Sequence, residues 1–224
     1  MFITNEPALF IDKILVIADL HIGITRELYE SGVSIPSQVK KLVKRIHKLK
    51  KMTKAQNLVI LGDLKNEVPG TSWQEMREIP EFLLLLKFKK IILIKGNHDA
   101  GIEKLLPENI KIKKSFSVGS YFLTHGHRKA DTEKNIIIGH NHPHIRFRDR
   151  LGALYTEPCW VIGKFKAKKT VDLIIMPAFN ELCGATLVNK DRLLGPIARK
   201  IIKPRVHLLD GTDLGALKDL KLKE

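Results

Sequence analysis

Apolar runs closed by polar clusters set the rhythm of the first half of this chain. Ile14-Leu15-Val16-Ile17-Ala18 ends in Asp19-Leu20-His21, Asn57-Leu58-Val59-Ile60-Leu61 ends in Gly62-Asp63, and Ile91-Ile92-Leu93-Ile94 ends in Lys95-Gly96-Asn97-His98-Asp99. Short, largely β-branched runs of this kind read as buried strands. Between the first two, Val39, Leu42, Val43, Ile46 and Leu49 recur at helical spacing, with Lys40, Lys41, Lys44, Arg45, Lys48 and Lys51 on the opposite face. Ser34-Ile35-Pro36 reads as the start of that helix, because proline suits a first turn. Before the third run, Ser72 with Glu75 three residues on predicts a capped helix reaching the Leu83–Leu86 cluster. Strand, helix, strand, helix, strand is an α/β layout, with its site expected beyond the carboxyl ends of the strands.

The second half reads differently. Short strands are predicted at about 111–116, 120–124, 135–138, 155–162, 171–176 and 185–188, with few helical stretches between them. A second, more antiparallel sheet follows, and two sheets face to face with helices outside would bury both patterns. A single domain over 1–224 accommodates this, with no internal repeat or linker. The segment 203–224, with its turn at Leu209-Asp210-Gly211, is expected to pack an edge and then fray.

Composition narrows the class. Hydrophobic content of 44% with 28% charged residues describes a soluble globular protein. No run approaches the ~18 apolar residues of a membrane span, and no signal pattern opens the chain, so a cytoplasmic protein without a membrane partner is expected. Cys159 and Cys183 make no metal or redox spacing and read as reduced core thiols. The 39 Lys+Arg against 24 Asp+Glu give a net charge of +15, a field that favours a polyanion such as nucleic acid but also fits a plain lysine-rich surface. Position decides between them. In an extended Ile145–Arg150, Arg146, Arg148 and Arg150 share one side, and Lys164, Lys166 and Lys168 repeat the alternation. Such rows could track a nucleic-acid backbone or guard an edge strand.

Five separated stretches carry the chemistry: Asp19-x-His21, Gly62-Asp63, Gly96-Asn97-His98-Asp99, His125 after Thr124, and Gly139-His140-x-His142. Each follows a strand-like run. Carboxylates, imidazoles and one carboxamide suit Mn²⁺, with Fe or Zn²⁺ as alternatives, and suit two divalent ions better than one. Asp63, in the middle of the order, could bridge the two. His127 and His144 lie beside these stretches and read as supporting or exposed; His47 and His207 read as surface or structural. Lys65 and Arg128 adjoin the same stretches and are either phosphate-gripping cations or ordinary surface charge.

These residues resemble the calcineurin-like metallophosphoesterase superfamily, with Asp-x-His, Gly-Asp, Gly-Asn-His-Asp, His and Gly-His-x-His present in order from Asp19 to His142. Ala18–Gly23, Gly62–Lys65, Gly139–Pro143, Met176–Asn180 and Leu209–Asp213 are further similar to archaeal SbcD-related phosphoesterases. The resemblance implies a four-layer αββα sandwich. It also implies one ion on Asp19, His21, Asp63 and His142, and a second on Asp63, Asn97, His125 and His140. A hydroxide between them would attack phosphorus, with His98 assisting the leaving group. Asp99 would orient the His98 ring or else cap a following helix. The expected function is a dinuclear-metal phosphodiesterase or nuclease acting on DNA or RNA, in repair or end processing, with a helicase or repair partner and a homodimer as possible assemblies. A small-nucleotide phosphatase or cyclic-nucleotide diesterase is the alternative. A non-catalytic binding module is disfavoured by the complete ligand set.

Overall fold

The apolar runs that end in polar clusters form the central strands. In the computed structural model, which describes residues 1–221, the first sheet lines up β1 (Ala8–Ile11), β2 (Ile14–Ile17), β3 (Asn57–Ile60), β4 (Lys90–Ile94) and β5 (Ile110–Lys113) in that order. β2 to β5 run parallel and β1 antiparallel to β2. Ile17 sits opposite Ile60 and Ile60 opposite Leu93, so these strands finish level. Asp19, Asp63 and Asn97 therefore leave the sheet along one edge.

Helices cover the outer face of this sheet. Leu42, Ile46 and Leu49 of α2 (Val39–Thr53) and Ile79 and Phe82 of α3 (Trp73–Leu85) pack with Leu15, Ile17, Leu58, Ile60 and Leu93. α3 begins on the expected capping box, in which the Ser72 hydroxyl accepts from the Glu75 amide and the Glu75 carboxylate accepts from the Ser72 amide at 2.7 Å. α2 starts at Val39 rather than Ser34. Pro36 disfavours helix at Ile35, and 31–35 offers no periodic apolar face to bury. A short helix ahead of it, α1 (Ile24–Glu30), follows directly from Gly23 and was not foreseen.

The second sheet is larger. It holds β6 (Phe116–Val118), β7 (Tyr121–Leu123), β8 (Asn135–Ile138), β9 (Pro143–Arg148), β10 (Leu154–Lys166), β11 (Thr170–Ile175), β12 (Thr186–Leu187), β13 (Ile202–Leu208) and β14 (Asp213–Ala216). The predicted strand at 111–116 is two strands in two sheets, β5 and β6, because the chain changes sheets between them. β7, β8 and β11 are parallel neighbours, with Leu123 opposite Ile137 and Ile138 opposite Ile175. His125 and His140, each two residues past a strand end, therefore emerge together.

Val16, Ala18, Val59, Leu61 and Ile92 of the first sheet meet Leu123, Ile137, Trp160, Ile174 and Met176 of the second in a continuous apolar core. The outer face of the second sheet, with Ile136, Val161, Leu173 and Val206, packs on Leu193 and Ile197, from the four-residue helix α4 (Gly195–Ala198) and its approach. The architecture is thus two mixed sheets face to face with helices outside, and its fourth layer is thin. β13 and β14 pack at an edge as expected of the C-terminal segment; the expected fraying falls on 222–224, outside the described residues. No helix among the described residues is long and apolar enough to cross a membrane.

Candidate metal centre

The level strand ends of the two sheets open onto one another, and the polar residues beyond them converge. Asp19, His21 and Asp63 offer ligand atoms within 4.8 Å of one another, and so do Asp63, His125 and His140. Asp63 belongs to both groups. His142 closes the first side, with Nε2 3.5 Å from Asp19 Oδ1, and Asn97 joins the second, with Oδ1 3.1 Å from His125 Nε2. All seven residues named as ligands from the sequence stand at this cluster.

The backbone there is unusual. Asp19, His21, Asp63, His140 and His142 have φ of 54°, 42°, 47°, 70° and 42°. Side-chain-bearing residues seldom adopt this left-handed region. It lets each chain segment turn back on leaving its strand, aiming the side chain over the sheet edge. Gly96 answers a different need. A Cβ there would lie inside the van der Waals radius of both the carboxylate and the backbone nitrogen of Asp63, so a bare Cα is what lets β3 and β4 deliver their motifs side by side.

The tautomers suit cation binding. Nδ1 of His125 lies 3.0 Å from the Leu61 carbonyl, and Nδ1 of His142 lies 2.9 Å from that of Gly184. A carbonyl only accepts, so each Nδ1 donates. Nδ1 of His21 faces Asn66 Oδ1 at 3.2 Å, and the Asn66 amide is fixed in that sense by donating to Glu27 at 2.8 Å. Each Nε2 is thereby turned toward Asp19 and Asp63. Nε2 of both His21 and His142 is buried with no hydrogen-bond partner. Buried lone pairs facing buried carboxylates are costly unless a cation lies among them. The donor set fits divalent ions.

Protonation follows the same geometry. Burial, then repulsion from His142, lowers the His21 pKa to about 4; burial, then His125, does the same at His140. His125 is buried too, but its hydrogen bond to Asp63 and the charges of Asp63 and Asp19 raise it to about 9. Metal binding at such a cluster competes with that proton.

His98 stands at the rim, its ring 4.8 Å from that of His21. Its Nδ1 donates to the Asn66 carbonyl at 2.6 Å, which leaves Nε2 free on the other side of the ring. The expectation that Asp99 orients this ring is therefore corrected. The Asp99 carboxylate is fully buried and accepts from the amides of Leu64 at 2.9 Å, Lys65 at 3.3 Å and Gly96 at 2.8 Å. Nor does it cap the following turn, whose cap is Gly101. Burial, then the charge of Asp63, raises its pKa. Asp99 ties the β3 and β4 loops together. Asp99→Ala is expected to lower stability by about 3 kcal/mol or more, since three buried amides lose their acceptor; a denaturant midpoint at or near wild type would contradict this.

Lys65 is the second correction. It is fully buried, not poised for phosphate, and its ammonium donates to the carbonyls of Glu67 and of Gly70, the latter at 2.7 Å. On the other side of the same loop, Glu75 Oε1 accepts from the amides of Asn66 at 2.7 Å and Glu67 at 2.6 Å. Together they hold the loop whose Asn66 touches both His21 and His98. Sequence reading missed Asn66, because nothing in its spacing marks a contact made across the fold. It also set aside Cys183, whose sulfur lies near His21 and His142. That thiol donates to the Asp19 carbonyl, and burial pushes its pKa well up.

The basic rows are only partly extended. Lys164 pairs with Asp172 and Lys168 with Asp131. Arg146 and Arg148 lie on β9, but the strand ends at Arg148 and Arg150 belongs to the turn beyond it. Arg128 is exposed near the cluster, beside His127, whose ring is 5.2 Å from that of His125.

Two facing sheets that deliver carboxylates and imidazoles from five strand ends define a metal-dependent phosphoester hydrolase. The calcineurin-like phosphoesterase family matches residues 12–176, and the chain belongs to it. The family works with a pair of divalent ions, which these clusters fit. Among solved structures, nuclease MPE from Pseudomonas putida shares 23% identity with a TM-score of 0.58, over 90% of this chain and 88% of that one. YfcE, a phosphoesterase from E. coli, shares 15% identity with a TM-score of 0.42, over 91% and 97% of the two chains. No curated protein matches the chain in sequence.

Proposed function

We propose that this protein is a cytoplasmic phosphodiesterase acting on nucleic acid, in end processing or repair. The observation that carries the chemistry is Asp63 shared between two donor groups on facing sheets. In this reading Asp19, His21, Asp63 and His142 hold one divalent ion, and Asp63, Asn97, His125 and His140 the other. Oxygen and imidazole donors without thiolate favour Mn²⁺. When bound, such a pair supplies positive charge that binds phosphoryl oxygens and acidifies water.

Hydrolysis places a hydroxyl on phosphorus and a proton on the departing ester oxygen. As the imidazolium, His98 would deliver that proton from Nε2 and become neutral, its Nδ1 proton staying on the Asn66 carbonyl. The nucleic-acid substrate is supported by the +15 charge. It is also supported by the fold shared with a protein named a nuclease, and by the similarity of Ala18–Gly23 and Gly139–Pro143 to SbcD-related phosphoesterases. A helicase or repair partner and a homodimer belong to the same proposal.

The test is a Mn²⁺ titration of metal-stripped protein against bis(p-nitrophenyl) phosphate and a single-stranded oligonucleotide. Turnover of both is expected. In His98→Ala it is expected to fall about 10²–10⁴-fold with Mn²⁺ affinity retained. Undiminished turnover in that variant would remove His98 from the chemistry, and binding of the oligonucleotide with no turnover of either substrate at any metal concentration would overturn the enzyme reading.

A further inference from the structure

Beside the metal centre, on its His125 and His140 side, runs a cleft of about 540 Å³. It follows the seam where β5, the edge strand of the first sheet, faces the β6–β7 hairpin at the edge of the second. Lys95, Lys113, Lys114, Arg128 and Lys129 line it against one carboxylate, Glu103. Glu103 is bound to Lys95 at 2.5 Å. Among the described residues no carboxylate pairs with Lys113, Lys114, Arg128 or Lys129. In the row that begins on β10, by comparison, Lys164 and Lys168 each have an acid of their own.

Lys113 lies over the Phe116 ring at 5.4 Å, but like charges crowded into a concave seam with one carboxylate still repel one another, and a polyanion relieves that repulsion. The cleft also borders the metal centre. His127 lines it and stands 5.2 Å from the ring of His125 and 6.3 Å from that of His140, and Lys95 directly precedes the Gly96-Asn97 turn. Its wall further includes the half-buried ring of Phe122. Cations along a groove with an aromatic face are what a single strand needs, phosphates on the former and a base on the latter.

We propose that this cleft carries a single nucleic-acid strand leaving the metal centre on its His125 side, with phosphates against Lys113, Lys114 and Lys129 and a base against Phe122. The proposal rests on the nucleic-acid reading above and adds the strand's path. A substrate confined to the metal centre would not need these cations.

The test compares wild type with the Lys113→Gln/Lys114→Gln/Lys129→Gln variant. Binding of a fluorescein-labelled oligothymidylate is measured against salt concentration, and kcat/KM is measured for the oligonucleotide and for bis(p-nitrophenyl) phosphate. Losing three phosphate contacts should flatten the slope of log K against log salt by about 2 and weaken binding about 100-fold at 0.1 M salt. The ratio of oligonucleotide to small-diester kcat/KM should fall with it. If the triple variant keeps the wild-type slope and ratio, the path is wrong while the nucleic-acid reading stands. If wild type hydrolyses the small diester but neither binds nor cuts the oligonucleotide, the nucleic-acid reading itself fails and takes the cleft with it. Should the triple variant melt early, the three single variants decide, each flattening the slope by about 0.7 if the path is right and by nothing if it is not.

Discussion

Asp63→Ala is expected to bring metal-dependent phosphoester hydrolysis down by at least about 10³-fold while the protein still folds. Asp63 is the carboxylate common to both donor groups, and its Oδ1 also accepts from the His98 amide at 2.9 Å. Losing a partner one shell further out already costs metal sites about 10–100-fold. Removing a ligand shared by two sites weakens both at once. The check is metal content by mass spectrometry beside kcat/KM on bis(p-nitrophenyl) phosphate. Asp63→Asn, which keeps an acceptor for His98 but drops the charge, should recover the loop without recovering metal. Two ions per chain and near-normal turnover in Asp63→Ala would mean that Asp63 bridges nothing.

Gly96→Ala should be nearly as damaging, for a steric reason. The added methyl must displace the Asp63 carboxylate and amide, and the amide belongs to backbone that cannot swing aside. Asp99, on the same loop, accepts from the Leu64 and Lys65 amides of the β3 loop, so the β4 loop cannot retreat without breaking those bonds. Overpacking of this kind costs about 1–3 kcal/mol. Here the larger effect falls on metal binding, because the atom displaced is a ligand. Calorimetry should show a lowered melting temperature with Mn²⁺ stabilisation largely lost. A variant that still gains wild-type stability from Mn²⁺ would show that the two loops need not approach so closely.

How much of this was readable in advance follows from the range of each interaction. The ligands were legible because each is a polar residue directly after a buried strand, and strand and motif are local in sequence. The capping box at Ser72 and Glu75 was legible for the same reason. What failed was non-local. Asp99 reaches amides 34 and 35 residues away, and the acceptor for His98 is 32 residues back, so neither partner leaves a trace beside its own motif. Lys65 looked exposed because lysine usually is, and only the fold of the 66–70 loop supplies carbonyls to bury it. β1 and β13 escaped notice because they are short or carry mixed charge, and pairing rather than pattern makes them strands. The basic rows were found by alternation, but alternation cannot say which lysine has an acid opposite.

The left-handed backbone at Asp19, His21, Asp63, His140 and His142 has an evolutionary corollary. These are positions where glycine would fit the chain better than the residue present, by about 1 kcal/mol or more apiece. The fold thus surrenders robustness at five of the seven donors of the centre, and drift or stability-guided redesign would tend to replace these residues first. A descendant released from catalysis should carry glycine or asparagine there and melt higher than this protein, so a gain in heat resistance within this architecture would be a sign of lost chemistry.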